Sequence, residues 1–236
     1  MSTLSTYREG SLHAELKARY AAARPHSLVE AAVDGFVIDV AGSNELVEIQ
    51  TASFASSRRK LGALLTSHSI VLVHPIPVEK WLVTVDDRGT VVRRRRSPRS
   101  GQPLDAFEEL VHISDLLGHP RFRLELVLTR EEEIRGPIPA GARYRYPRTW
   151  WRLDRRLVDV LDTLCIDAPT DLLRLLPTGL PEPFTTGDIV SASRRSKRLA
   201  MRAAYTLERA GAVARLERRG RYFTYGRVTT SPPATS

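Results

Sequence analysis

Cysteine occurs once in the 236 residues, at Cys165, so an internal disulfide and a cysteine-based zinc site are both excluded. That cysteine lies in an apolar run whose spacing predicts a helix, where it reads as a core residue. No apolar run reaches transmembrane length, and the polar start MSTLSTYREG has no signal-peptide core, so the expectation is a cytoplasmic protein with no membrane partner. There is no glycine-rich phosphate loop, no Cys/His spacing that ligates metal and no nucleophile motif, which removes the common nucleotide-binding and covalent-catalysis classes. Acid is also in short supply: 27 Asp and Glu stand against 36 Lys and Arg, giving +9 and a pI near 10.2. A surface of that sign points to a polyanionic partner, nucleic acid first. An apolar content of 42% in a chain this long supports a real core, and the patterning divides it into two domains.

What the sequence does have begins at Val33–Gln50, VDGFVIDVAGSNELVEIQ. Asp34-Gly35 is a turn signal, Phe36–Val40 a β-rich run, Gly42-Ser43-Asn44 a second turn and Glu45–Gln50 a second strand. Side chains alternate along a strand, so Glu48 and Gln50 share a face while Ile49 points to the other. Asp39 on the same face would bring two carboxylates together, and like charges held close are relieved by a hard cation such as Mg²⁺ or Mn²⁺.

An Asp with Glu-x-Gln beginning nine positions on resembles the metal site of the PD-(D/E)XK nuclease superfamily. The resemblance implies that Asp39, Glu48 and the Ile49 carbonyl hold Mg²⁺ or Mn²⁺. The family usually has Lys where this chain has Gln50, a residue that orients water but carries no charge. Lys60, on the helix that follows, is the candidate replacement, and Glu15 on the first helix is the candidate for reaching the metal-bound water. Two functions stay open: a metal-dependent nuclease acting on DNA, and a DNA-binding regulator or adaptor that keeps the fold without turnover.

Around that site, Ser11–Ala23 reads as an amphipathic helix with Ser11 as N-cap, bearing Leu12, Leu16 and Tyr20 inside and His13, Glu15 and Lys17 outside. Leu28–Val33 reads as a first strand, with Glu30 a second candidate acid. Residues 55–67 give a helix opening on Arg58, Arg59 and Lys60, of which Arg58 and Arg59 are expected nucleic-acid contacts, and Ser69–Ile76 a buried strand with His74, before Pro75 near its end, read as structural. This order, helix, three strands, helix, strand, matches the superfamily's αβββαβ core. The fold class is therefore α/β, with a restriction-endonuclease-like core and a second, smaller winged-helix (α+β) domain.

Further on, 80–85 and 89–94 read as a hairpin leading into a loop that carries Arg93, Arg94, Arg95 and Arg96, assigned to phosphate. A helix over 105–117 and a strand over 122–128 complete a first domain at 1–130. Residues 131–149 read as a linker, whose Arg143–Tyr146 alternate basic and aromatic. Leu153, Leu157, Val160, Leu161 and Leu164 predict a helix opening the second domain, 150–228. There, a short strand at Phe184, two helices and a two-stranded wing resemble a winged helix-turn-helix. From Phe184 to Arg227 there are 11 basic residues against 3 acidic. Arg194, Arg195, Lys197, Arg198 and Arg202 on the recognition helix, with Arg218, Arg219 and Arg221 on the wing, are the expected contacts to double-stranded DNA. Residues 229–236 read as a disordered tail, and the sequence leaves a homodimer open.

Overall fold

The computed structural model describes residues 10–138 and 150–228. The expected tail at 229–236 and the Arg143–Tyr146 stretch lie outside the described residues. The first helix, α1 (Ser11–Ala22), buries Leu12 and Leu16 completely. Its N-cap is Gly10, not Ser11; the Ser11 backbone N–H and hydroxyl both donate to Asp154 instead.

Strands β1 (Leu28–Val33) and β2 (Phe36–Ala41) are joined at Asp34-Gly35, where both residues have positive φ, 48° and 81°. A two-residue hairpin loop of type I′ requires that geometry, and glycine adopts it without a Cβ clash. The turn fixes the register Val33↔Phe36 through Leu28↔Ala41. β3 (Leu46–Ile49) then pairs antiparallel with β2 through Val40↔Val47 and Ala41↔Leu46. Its four residues are all buried.

A short 3₁₀ turn and α2 (Arg58–Leu64) lead to β4 (Ile70–Val85), which is one continuous strand where the sequence predicts two. β5 (Val91–Arg96) returns along it as a hairpin. The four arginines expected in a loop are therefore residues of a strand, because their pairing with Trp81–Thr84 begins straight after the Asp86–Gly89 turn. After α3 (Phe107–Leu110) come β6 (Phe122–Gly136) and β7 (Trp151–Ile166). The large sheet runs β1-β2-β3-β4-β6-β7, with β5 beside β4.

β7 corrects the helix expected over 153–164. Leu153, Leu157 and Leu161 recur every four residues, and four is a multiple of the strand period as well as close to a helical turn. The strand also corrects Cys165, which is half-buried on β7 and not on a helix; burial pushes its thiol upward. β6 likewise runs unbroken through position 130, the expected domain edge.

The remaining elements are β8 (Phe184–Thr185), α4 (Thr186–Ser193), α5 (Lys197–Ala210), β9 (Val213–Arg219) and β10 (Tyr222–Arg227), with the strands ordered β8-β10-β9. Gly211, at φ 82°, closes α5 in the left-handed conformation that lets the helix end and β9 begin.

Among the described residues the chain forms two compact units, and they are not consecutive pieces. One draws on residues up to Thr51, Val73–Gln102 and Val127–Leu164; the other on Ala52–Leu72, Pro103–Leu126 and the chain from Cys165. The first unit holds α1, β1 to β3 and β5. The second holds α2 to α5 and β8 to β10, around Phe54, Phe107, Leu110, Phe184 and Leu207, each fully buried.

α4 starts at a capping box: the Thr185 hydroxyl accepts from the Asp188 N–H, and Asp188 accepts from the Thr185 N–H at 2.7 Å. Thr185→Ala is expected to lower the unfolding free energy by about 1 kcal/mol. Burial pushes the Asp188 carboxyl upward, but hydrogen bonds from Thr185 and the charge of Arg219 outweigh it and hold the group below its usual 3.8. A carboxyl depressed by folding contributes fully above its unfolded value, and that contribution is lost as pH falls through the folded one. Urea unfolding at descending pH should show a shallower acid limb in Asp188→Asn than in the wild type; parallel limbs would remove this role.

Candidate functional site

In the first unit three strands carry an acid at one level. Val29↔Val40 and Ala31↔Ile38 bracket Glu30 and Asp39, and extending Val40↔Val47 by one residue sets Asp39 across from Glu48. Residues opposite one another on antiparallel strands face the same way, with Cβ atoms about 4.5–5.5 Å apart. Two of the three acids are shielded: Glu48 is buried, and the Asp39 side chain is 16% exposed. Like charges in such a row repel, so the row requires cations or donors.

α1 supplies them from two residues one turn apart. His13 Nε2 lies 3.3 Å from Asp39 Oδ2, and Lys17 Nζ donates to Glu30 at 2.7 Å. Lys17 is itself buried, which leaves its ammonium dependent on that carboxylate environment. Asp39 Oδ2 also accepts the Ile49 N–H at 2.7 Å. Glu30 has φ 53°, a left-handed conformation that a non-glycine residue holds only at a cost of about 1–3 kcal/mol.

Gln50 follows immediately. Its N–H donates to the Val73 carbonyl at 2.9 Å, and its carbonyl lies 2.6 Å from His74 Nδ1. A carbonyl only accepts, so His74 carries a proton on Nδ1. His74 thus donates to the backbone carbonyl of Gln50.

The other expected participants are placed as follows. Glu15 Oε2 accepts the Leu157 N–H at 2.6 Å, satisfying a backbone donor on β7, the last strand of the sheet. Lys60 sits on α2 in the second unit, whereas Asp39, Glu48 and Gln50 are in the first. Lys17 is the lysine that the first unit itself brings to the acid row. Its i, i+4 spacing with His13 places the two on one face of α1 but says nothing about which strand that face covers.

A second polar group lies beside Thr51. Arg155 reaches the Thr51 carbonyl and makes a double hydrogen bond to Glu131, at 2.9 and 3.1 Å. The Glu131 side chain is fully buried, and Thr129 donates to it at 2.7 Å. Sequence reasoning missed this pair, because nothing local joins residues 24 apart.

The basic residues of the second unit are partly committed. Arg195 pairs with Asp105 at 2.7 Å, and Arg198 and Arg202 with Glu108. Arg58 pairs with Asp115 and Arg219 with Asp188. Arg194 and Arg59 are exposed with no such partner among the described residues, while Lys197 lies over Tyr222, Arg218 over Phe223 and Arg221 over Tyr222.

Comparison with known proteins adds a family and a relative. A family model described as Domain of unknown function (DUF8091) matches residues 10–167. A protein of Treponema pallidum (strain Nichols), described as an uncharacterized protein, is 29% identical over 189 residues, covering 79% of this chain and 73% of the relative. That coverage exceeds what residues 10–167 account for. Since nine residues precede position 10, the likeness reaches into the segment that follows the family region. No solved structure matches.

The Glu131–Arg155 pair makes a direct test of how the first unit is held. Arg155→Met leaves a buried carboxylate without its cation and should destabilise the fold by about 3–5 kcal/mol in chemical denaturation. Adding Glu131→Leu removes the orphaned charge and should recover part of that loss. A single variant with wild-type stability would show that the pair is solvated in solution.

Proposed function

The chain belongs to the DUF8091 family, and from the acid row beneath α1 we propose that it is a metal-dependent nuclease acting on DNA. The observation that carries this reading is the register that sets Asp39 across from Glu48, with Gln50 two residues on along the same chain. The donor set fits a hard cation: two carboxylates and the Ile49 carbonyl are oxygen ligands of the kind Mg²⁺ and Mn²⁺ take. Asp39, Glu48 and Ile49 would hold it. Such an ion, when bound, lowers the pKa of a water and neutralises charge developing on a phosphate.

The chain's own residues have separate tasks in this reading. His13 and the Ile49 N–H fix the Asp39 carboxylate, so its orientation is set before substrate arrives. Gln50 orients water without supplying charge, and Lys17 supplies the nearby cation of the row. DNA positioning falls to β8, α4, α5 and the β9-β10 ribbon, whose order resembles a winged helix-turn-helix with α5 as its recognition helix. Arg194 at the C-cap of α4, Lys197 at the start of α5, Arg218 on β9 and Arg221 in the turn of the ribbon are exposed cations of that module with no acid partner among the described residues.

The second reading, a DNA-binding adaptor without turnover, is favoured by one feature of the row. Asp39 Oδ2 already receives two groups, and among the described residues no group of three or more His, Cys, Asp or Glu is arranged to hold a metal ion.

The test is cleavage. Glu48→Ala is expected to abolish Mg²⁺-dependent hydrolysis of DNA while leaving DNA binding intact, because a repulsive carboxylate is removed from the phosphate's path. Gln50→Lys should be tolerated or raise the rate. A wild-type protein that cleaves neither single-stranded, double-stranded nor branched DNA with Mg²⁺ or Mn²⁺, and takes up neither ion in calorimetry, is the adaptor.

A further inference from the structure

The run Arg93–Arg96 is a strand, so its four side chains divide into two sets by face. Among the described residues β5 pairs only with β4, and it is exposed along its whole length. The register Trp81↔Arg96 and Val83↔Arg94 puts Arg94 and Arg96 on the face of Trp81; Leu82↔Arg95 and Thr84↔Arg93 put Arg93 and Arg95 on the other.

The two sets differ in what surrounds them. The Arg94 guanidinium stacks on the Trp81 ring at 4.1 Å and pairs with Glu132 at 2.9 Å. Arg96 lies in the field of Glu79, whose carboxyl is held below the usual range by the Arg130 hydrogen bond, with the charges of Arg130 and Arg96 adding to it. Arg94 thus serves an acid of its own unit, and Arg96 adds only to the positive field around Glu79. Among the described residues no acid pairs with Arg93 or Arg95. Two adjacent guanidinium groups kept on an exposed face without a counter-charge repel one another, a cost that a polyanion removes.

Their spacing selects the polyanion. Alternate residues of an extended strand are about 6.8 Å apart. Successive phosphates of a nucleic-acid strand, separated by six covalent bonds, repeat at a similar interval, and each planar guanidinium matches a phosphate with two N–H groups. We propose that β5 is a phosphate-gripping strand: Arg93 and Arg95 take successive phosphates of a nucleic-acid backbone, while Arg94 holds the strand to its own unit. This rests on the nucleic-acid part of the reading above and not on cleavage.

The experiment uses the full-length protein in EDTA, with a fluorescently labelled single-stranded oligonucleotide of mixed sequence and its duplex, followed by anisotropy across a NaCl series. Arg93→Ala/Arg95→Ala should weaken binding and flatten log K against log[salt] by about 1.4 on the single strand, or about 1.8 on the duplex, two contacts' worth of counterion release. Whichever probe shows the loss identifies the backbone that β5 takes. Arg94→Ala/Arg96→Ala should keep the wild-type slope and lower the melting temperature, and Arg93→Lys/Arg95→Lys, which keeps the charge, should restore the slope. An unchanged slope in the first variant with both probes, equal slope losses in the two alanine pairs, or a wild type that binds neither probe overturns the proposal. Binding that depends on Arg93 and Arg95 in a protein that never cleaves would sink the nuclease reading and leave this one standing.

Discussion

Carboxylates under a helix set the terms for the first unit. Glu30, Asp39 and Glu48 occupy one level of three neighbouring strands, and two of them are shielded from water. Repulsion in such a row is tolerable only if α1 lies where its His13 and Lys17 meet Asp39 and Glu30. That placement commits the rest of the helix. Its first turn is held to β7 through Asp154, and its Glu15 takes the Leu157 N–H, so one element serves the acid row and the last strand of the sheet. The apolar contacts of Leu12 and Leu16 supply burial, but they do not specify this position. Leucine packs acceptably at many depths, whereas a lysine buried against a glutamate has few alternatives.

Charge in the second unit follows the same logic with the signs exchanged. α5 and the turn before it carry a dense set of cations, and acids are spent on them: Asp105 on Arg195 and Glu108 on Arg198 and Arg202, while Glu208 of α5 takes Arg215 of β9. Arg202 is the most deeply engaged, since it also donates to the Glu108 backbone carbonyl. Such pairs are partly exposed, and each contributes little to stability by itself. Their larger effect is on availability. A cation already facing a carboxylate must exchange that partner for a phosphate, so it adds less to nucleic-acid affinity than the net charge implies.

Much of the local architecture was legible because local chemistry determines it. Asp34-Gly35 dictates a two-residue turn, and from that turn the register of β1 and β2 follows, including the level of Asp39. Thr185 and Asp188 announce the start of α4, and Gly211 the end of α5. β7 was not legible, because leucines four apart satisfy both periodicities and only pairing with β6 decides between them. The conformation of Arg93–Arg96 was missed for a related reason: charge density suggests solvated loop, but Trp81–Thr84 offers a ladder that four arginines accept as readily as other residues. Within the acid row, Asp39 and Glu48 could be found from strand alternation. Lys17 as their neighbour could not, since helix position over a sheet is a tertiary fact.

What separates a structural arginine from a binding one is therefore the sign of the charge on its own face. On β5 the sequence offers four identical side chains in succession, and the strand's alternation puts Arg94 on the face where it meets Glu132 and Trp81, with Arg93 and Arg95 on the other. On α5 the helical period delivers Arg198 and Arg202 to Glu108, while in the turn before it Arg195 faces Asp105 and Arg194 has no acid among the described residues. In both elements backbone geometry sorts the cations before any ligand is present. Net charge draws a polyanion toward the molecule as a whole, because that attraction is long-ranged and sums over every residue. Where the polyanion settles depends on which cations lack an internal partner. That count is small, so a few substitutions that spare the fold should redirect binding more than a larger loss of charge spread over the surface.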